Sequence, residues 1–443
     1  MKRILVLGAG LVAGPLVRHL LAQEGVQVTV ADQVASKAQA LVAGAGNGAA
    51  MGLDVGNEAR LEELIAQHDL SVSLLPYMYH PLIARLCVAH ERPMVTASYV
   101  KDEMRTLDGP AKQAGVILLN EVGVDPGLDH MSAMRVIDRI REAGGELVSF
   151  SSYCGGLPAP DSNDNPFGYK FSWSPRGVIL AGKNPARYLE DGQVIEIPGE
   201  ELFAYHWPVE IEGFGILEGY PNRDCLPYID TYGIQGVEGM FRGTLRYPGW
   251  SATMKRIAEL GLLDESERSD LGGLTYAGFL RTLLDESEEP GLLEEDVADS
   301  LGVDLDARII SNLKWLGFFD EEPLPEGVKS PLDVLAARML ERMQYAPGQR
   351  DLLVMQHEFL AQYTDRRERI TSTLIDYGIR NGDTSMSRTV GLPAAIATTL
   401  VLRGKITLTG VQIPVRREIY EPVLTELETL GIAFHEKTEV IDS

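Results

Sequence analysis

Residues 4–13 read Ile-Leu-Val-Leu-Gly-Ala-Gly-Leu-Val-Ala, and they constrain the fold of this chain more than any other stretch. A buried-strand run ends at Gly8. Gly8-Ala9-Gly10-Leu11-Val12-Ala13 then fits G-x-G-x-x-G/A at the head of a predicted helix. The first glycine permits a tight turn, the second lets the backbone approach a pyrophosphate, and the small Ala13 lets helix pack close to strand. Bare N–H groups at the helix start then meet the phosphate charge. The motif alone is weak evidence, but Asp32 stands at the end of the second predicted strand, about 20 residues on. An acidic side chain there accepts hydrogen bonds from both ribose hydroxyls of a dinucleotide and repels a 2′-phosphate, so NAD is expected, with NADP the alternative. The competing interpretation is a plain tight turn, with Asp32 a helix cap.

Residues 4–7, 26–31, 70–75, 94–97 and 116–120 read as buried parallel strands, and 58–67 and 80–89 carry apolar residues at helical spacing between them. This alternation implies an α/β fold: an N-terminal Rossmann domain with a doubly wound parallel sheet covered on both faces. From about residue 125 to 247, Gly, Pro, Asn and aromatic residues become dense, as in a loop-rich, mixed α+β region where binding residues tend to lie. Residues 251–344 read as helical and acidic. Residues 352–362 and 369–377 flank the polar turn Thr364-Asp365-Arg366-Arg367 and predict an antiparallel hairpin returning to the middle region's sheet. Residues 390–402 predict a buried helix, 419–430 a further helix and 433–440 a last strand.

The 443 residues give room for two or three domains at roughly 100–200 residues each. A net charge of −24 argues against nucleic acid or an anionic membrane as partner, since both need a basic surface. It leaves room for an anionic substrate, because a few arginines suffice to line a pocket. Cys87, Cys154 and Cys225 form neither a disulfide framework nor a CxxC pattern, which fits a reducing compartment. Met1-Lys2-Arg3 and the apolar run behind it imitate a signal peptide, but Gly8, Gly10, Gly14 and Pro15 interrupt that run. No stretch reaches the ~18 uninterrupted apolar residues of a bilayer span, so a soluble cytoplasmic protein is expected.

In open parallel sheets, ligands bind at the carboxyl ends of the strands. There the sequence places Ser73-Leu74, Thr96-Ala97 and Val124-Asp125-Pro126-Gly127 as candidate cofactor contacts, with Ser98-Tyr99 directly after Ala97. Ser98, Tyr99 and Asp125 are expected to converge near a nicotinamide ring, although Tyr99 also suits an interfacial aromatic and Asp125 a helix N-cap. His19 is expected to be solvated on the first helix. His130 lies within reach of the site, yet core or surface use is the commoner fate of such a residue. Cys154 is expected at the end of a Ser-rich strand, just before Gly155-Gly156 and within a loop able to face the cofactor, or else as a small buried hydrophobe. The eight histidines show no HxxxH or HExxH spacing, so no metal is expected. The acidic runs 286–289 and 294–296 read as solvated helix faces.

With these residues assembled, the sequence resembles the glutamate-forming saccharopine dehydrogenase (saccharopine reductase) family over essentially the whole chain. The likeness lies in residues 8–15, Thr96-Ala97-Ser98-Tyr99, Glu121-Val122-Gly123-Val124-Asp125-Pro126-Gly127 and Tyr153-Cys154-Gly155-Gly156-Leu157-Pro158-Ala159-Pro160. It continues in residues 169–177, Tyr220-Pro221-Asn222-Arg223-Asp224 and residues 241–249. The resemblance implies three domains: a Rossmann domain over 1–124 and 385–443, an α+β substrate domain over 125–250 and 345–384, and a helical domain over 251–344. It implies oxidation of saccharopine, a secondary amine joining lysine to glutamate, to glutamate and 2-aminoadipate semialdehyde. By motif position, Ser98, Tyr99, Asp125, Arg223, Thr244, Leu245 and Arg246 would contact saccharopine. Fungal members carry Cys-Arg after the second strand, suited to a 2′-phosphate, where this chain has Asp32-Gln33.

The residue chemistry agrees with that implication. Saccharopine has three carboxylates, and a planar guanidinium holds a carboxylate bidentately, a role open to Arg223 and Arg246. A group that accepts the amine proton and assists water would be Asp125, Cys154 or Tyr99, and the sequence does not choose among them. A related imine-forming reductase, such as carboxynorspermidine dehydrogenase, would need fewer arginines. A non-catalytic NAD-binding sensor would not need a complete substrate domain. The oligomeric state is left open, with a homodimer compatible.

Overall fold

Ile4, Leu5, Val6 and Leu7 are each fully buried in the computed structural model, as only a strand covered on both faces allows. The structure describes residues 1–173, 175–284 and 292–441, and the chain divides into two compact units, Met1–Leu147 with Phe359–Ser443, and Val148–Glu358. The first unit opens with β1 (Lys2–Leu7), α1 (Ala13–Leu21), β2 (Val26–Asp32), α2 (Ala35–Val42), β3 (Gly48–Gly52), α3 (Glu58–Gln67) and β4 (Leu70–Ser73). It continues through α4 (His80–Ala89), β5 (Met94–Thr96), α5 (Asp102–Arg105), α6 (Asp108–Ala114), β6 (Ile117–Leu119) and α7 (Leu128–Glu142). β7 (Glu146–Pro158) leads out of it.

The second unit contains α8 (Pro175–Ala181), β8 (Ala186–Glu190), β9 (Gln193–Ile197), β10 (Trp207–Ile211), β11 (Gly215–Pro221), α9 (Pro227–Tyr232) and β12 (Gly239–Arg246). There β12 runs parallel to β7 and antiparallel to β11, and β10 extends β11 antiparallel. The stretch expected to be helical then gives α10 (Trp250–Glu259), α11 (Tyr276–Arg281), α12 (Leu293–Leu301), α13 (Arg308–Leu316) and α14 (Pro331–Arg342). Of the two acidic runs, 286–289 lies outside the described residues. The other lies on α12, where Glu294 pairs with Lys314 at 2.9 Å. β13 (Asp351–Gln362) brings the chain back, since its residues 359–362 belong to the first unit.

The return completes the first unit with β14 (Arg367–Tyr377), α15 (Ser385–Leu402), β15 (Gly410–Gln412), α16 (Arg417–Thr429) and β16 (His435–Ile441). The expected hairpin is β13 with β14, its turn closed by the Tyr363 N–H on the Arg366 carbonyl at 2.8 Å, and β16 pairs antiparallel to β14. The parallel sheet runs β15-β6-β5-β4-β1-β2-β3 among the described residues. Its order reverses beside β1, with β2 on one side and β4 on the other, and such a switch point opens a crevice at the strands' carboxyl ends. Two strands of this sheet, β3 and β15, are not among those the sequence predicts. Gly48-Ala49-Ala50-Met51-Gly52 has no β-branched residue, and β15 is three residues long, too short for any periodicity.

Leu5 and Leu7 join Leu61, Ile65, Ile83, Leu86, Met94 and Leu118 in one core. By strand alternation Ile4 and Val6 point to the opposite face. α15 packs on α1, and the approach is close at Gly391. A Cβ added there would stand 2.8 Å from the Val12 carbonyl oxygen and 3.2 Å from the Leu16 nitrogen. Both are backbone atoms at the start of α1, so they yield only if the helices separate. Gly391→Val should therefore destabilise the protein by about 1–3 kcal/mol, the usual range for overpacking. Thermal unfolding followed by circular dichroism would register a Tm lower by several degrees, and an unchanged Tm would mean that α15 is free to shift. Among the described residues no helix is long and apolar enough to cross a membrane.

Candidate active site

The glycine loop is built as the fingerprint requires. Gly8 has φ +103°, and its N–H donates to the Ala31 carbonyl at 2.8 Å. A Cβ on Gly8 would come within 3.3 Å of the Leu74 backbone, whereas one on Gly10 would meet nothing within 4 Å. The backbone at Gly10 is thus open to a phosphate, and α1 begins without a side-chain cap on its N–H groups. Ala13 is fully buried, Val12 half-buried and Leu11 exposed. Asp32 takes the Ala9 N–H on Oδ2 at 2.7 Å and the Val34 N–H on Oδ1 at 2.8 Å. It therefore ties the glycine loop to the end of β2. A carboxylate has about four acceptor sites, so the two left over suit ribose hydroxyls. These residues fit a dinucleotide.

At the ends of β4, β5 and β6 the expected residues do assemble. The Tyr99 hydroxyl donates to Asp125 Oδ1 at 3.0 Å, and both side chains are half-buried, as is Ser98. The loop after β6 folds back on the loop after β5, with the Glu121 N–H on the Ser98 carbonyl at 3.2 Å and the Val122 N–H on the Thr96 carbonyl at 3.2 Å. Asp125-Pro126 is cis, and Gly127 has φ +147°. A Cβ on Gly127 would overlap the Gly123 backbone at 2.2 Å, so only glycine fits there. The N-cap of α7 is Gly127, which removes the helix-cap alternative for Asp125. His130 is fully buried, with Nε2 2.9 Å from Glu121 Oε2, a core position in keeping with the commoner fate.

Ser73, Leu74, Thr96, Ala97, Val124 and Pro126 lie at the same strand ends. The residue that joins them was missed in the sequence reading. His80 is 3% exposed, its Nδ1 3.0 Å from Ser73 Oγ and its Nε2 2.8 Å from Ser98 Oγ and 3.2 Å from Thr96 Oγ1. Burial pushes its pKa down to about 4, so the ring is neutral near pH 7. Its signal lay in its place, at the first turn of the helix that follows the β4 loop. His19 corrects another expectation. Its side chain is 11% exposed and lies 3.3 Å from Glu426, because α16 comes back over that part of the unit.

The remaining candidates belong to Val148–Glu358. Cys154 is not in a loop. β7 continues through it to Pro158, and Cys154 stands opposite Thr244 in the β7–β12 ladder, both half-buried. Arg223 is exposed at φ +60°, its carbonyl accepting the Arg187 N–H at 3.1 Å. Leu245 is fully buried and exposes no surface to a soluble ligand.

Arg246 is the last residue of β12 rather than part of a loop, and it is 6% exposed. Its guanidinium stacks 4.8 Å from the Tyr169 ring centroid and 5.5 Å from that of Trp250. Nη1 donates to the Leu245 carbonyl at 2.7 Å, while Nε has no hydrogen-bond partner among the described residues. The carboxylate directly across the ladder, Glu218, is taken up by the Gly249 and Ser251 N–H groups at 2.9 and 2.7 Å. A buried cation without a carboxylate partner is costly unless a ligand brings one. The motif at 169–177 includes Ser174, which lies outside the described residues.

Residues 4–119 match the family model described as Saccharopine dehydrogenase NADP binding domain, and residues 123–432 that described as Saccharopine dehydrogenase C-terminal domain. The chain is 40% identical to the saccharopine dehydrogenase (NADP(+), L-glutamate-forming) of Schizosaccharomyces pombe over 100% of both chains. It is 37% identical to the mitochondrial alpha-aminoadipic semialdehyde synthase of Bos taurus, over 98% of this chain and 47% of that one. It superposes on the apo histidine-tagged saccharopine dehydrogenase (L-Glu forming) of Saccharomyces cerevisiae with a TM-score of 0.92 at 39% identity, covering 99% of this chain and 100% of that one. A likeness that runs through both units at this level leaves one assignment: the chain belongs to the family of L-glutamate-forming saccharopine dehydrogenases.

Proposed function

We propose that this chain converts saccharopine, water and NAD to L-glutamate, 2-aminoadipate 6-semialdehyde and NADH. The observation that carries this reading is the 40% identity to an L-glutamate-forming enzyme across the full length of both chains. Arg246 and Arg223 anchor carboxylates of the substrate, with Arg246 the stronger because its guanidinium is buried and has no carboxylate partner among the described residues. Asp125 takes the proton from the substrate ammonium, since only a neutral amine can release hydride from its neighbouring carbon. The nicotinamide, when bound, accepts that hydride. Asp125 then assists the water that adds to the resulting C=N carbon. Collapse of the adduct breaks the C–N bond, and the nitrogen leaves as the amine of glutamate. Tyr99 holds the Asp125 carboxylate in place, and Cys154 and Thr244 line the substrate. NADH absorbance at 340 nm with saccharopine present tests the reading, and a purified protein silent with both cofactors would overturn it.

NAD rather than NADP is the finer part of the proposal. The fungal relatives' names carry NADP(+), so the support comes from Asp32 alone, whose charge lies where a 2′-phosphate would come. Wild type should show the higher kcat/KM with NAD. Asp32→Ala with Gln33→Arg should move the ratio toward NADP by about 1–3 kcal/mol, the value of a charge-assisted bond. Total activity should fall as well, because Asp32 also holds the Ala9 N–H. A wild type that prefers NADP sinks the NAD assignment and leaves the substrate assignment untouched.

A further inference from the structure

One hydrogen-bonded path crosses the carboxyl ends of three neighbouring strands. It runs from Ser73, the last residue of β4, through His80 to Thr96, the last residue of β5, and to Ser98 just beyond it; the chain then leads to Tyr99, whose hydroxyl bonds Asp125 after β6. His80 is the link between the first two strand ends. His68, also buried, divides its ring between backbone and side chain, with Nδ1 2.6 Å from the Leu64 carbonyl and Nε2 2.9 Å from Thr29 Oγ1. His80 instead meets three side-chain hydroxyls, and all three lie at strand ends beside the glycine loop. Its backbone is fixed at the first position of α4, with Pro81 next, a residue pre-organised for a helix start.

We infer that His80 is a positioning residue, which fixes Ser98 and the turn carrying Tyr99 and, through the Tyr99 hydroxyl, sets the direction of the Asp125 carboxylate. The inference rests on the proposed reaction only for its kinetic arm. Because the ring is neutral, one nitrogen donates and the other accepts, so the hydroxyls at its two ends receive opposite instructions. Nε2 is the nitrogen that matters for Ser98 and Thr96, and Nδ1 serves Ser73.

That asymmetry supplies the test. His80→Gln places an amide near the Nε2 position, whereas His80→Asn reaches only the Nδ1 position. His80→Asn should lower kcat/KM for saccharopine on the order of tenfold to a hundredfold, as expected when a reacting group is misplaced. His80→Gln should recover most of that loss, with NADH affinity by fluorescence titration and Tm alike in both variants. In a Tyr99→Phe background the cost of His80→Asn should largely disappear, because the path is already cut. Equal losses in the Gln and Asn variants, or full additivity with Tyr99→Phe, would overturn the inference. A second readout needs no substrate. The ¹⁹F resonance of 3-fluorotyrosine incorporated at position 99 should move in His80→Asn and stay in place in His80→Gln, and an unmoved resonance in both would also overturn it. A wild type inactive on saccharopine would count against the reaction, while the ¹⁹F arm would still decide the role of His80.

Discussion

Arg246→Met should raise the KM for saccharopine by roughly thirtyfold or more while leaving NAD affinity unchanged. Removing one member of a desolvated charge pair costs about 2–5 kcal/mol, much of it from the stranded partner, here a substrate carboxylate. Methionine is the informative replacement because its unbranched thioether can still pack against Tyr169 and Trp250, the rings on which the guanidinium lies. Packing is thus largely kept while charge and fork are lost. Arg246→Lys should recover only part of the affinity, since a single ammonium cannot make two parallel bonds. Arg223→Met should cost less, because Arg223 is exposed and its interaction is screened by water. Calorimetric titration with saccharopine separates the outcomes. Normal binding by Arg246→Met would remove this residue from the substrate contacts.

Asp125→Asn should lower kcat/KM for saccharopine by ~10²-fold or more, as the loss of a general base predicts. The amide is nearly isosteric, and its oxygen can still accept the Tyr99 hydroxyl that lies 3.0 Å from Oδ1. The change therefore removes the charge and leaves the geometry. Tyr99→Phe should be intermediate, since it frees Asp125 to turn without removing its basicity. Cys154→Ser should be mildest, because its place in the β7–β12 ladder is held by backbone pairing whatever the side chain. A Cys154→Ser variant far worse than Asp125→Asn would transfer the proton step to the thiol.

How far the sequence revealed these features depended on whether the signal was local. Gly8, Gly10, Ala13 and Asp32 were legible because each answers a local demand of one strand–turn–helix–strand unit. The meeting of Tyr99 with Asp125 was legible too, because parallel strands deliver their loops to one edge. Cys154 was misread because Gly155-Gly156 looks like a turn. The glycine is there for the neighbouring strand instead: a Cβ on Gly155 would stand 2.6 Å from the Leu245 carbonyl oxygen. The state of Arg246 was also out of reach, since nothing local tells that Glu218 opposite is occupied by the start of α10. His80 was hidden for a similar reason. Its three partners come from the ends of two strands, and a lone histidine carries no spacing to read.

The way the parallel sheet is finished has a consequence for how the protein is made. β15 supplies its last strand, pairing Gly410 with Ile117, and α15 covers α1 through Gly391. On a ribosome that delivers the N-terminal segment first, β6 waits as a bare parallel edge, and α1 keeps an uncovered face until almost the whole chain has emerged. The parallel sheet is thus begun before the second unit is synthesised and closed only after it. A chain halted before residue 410 would present an unpaired edge that invites association with other strands. Ribosome-bound intermediates of this protein should accordingly depend on chaperones for longer than a dinucleotide-binding domain built from one continuous segment.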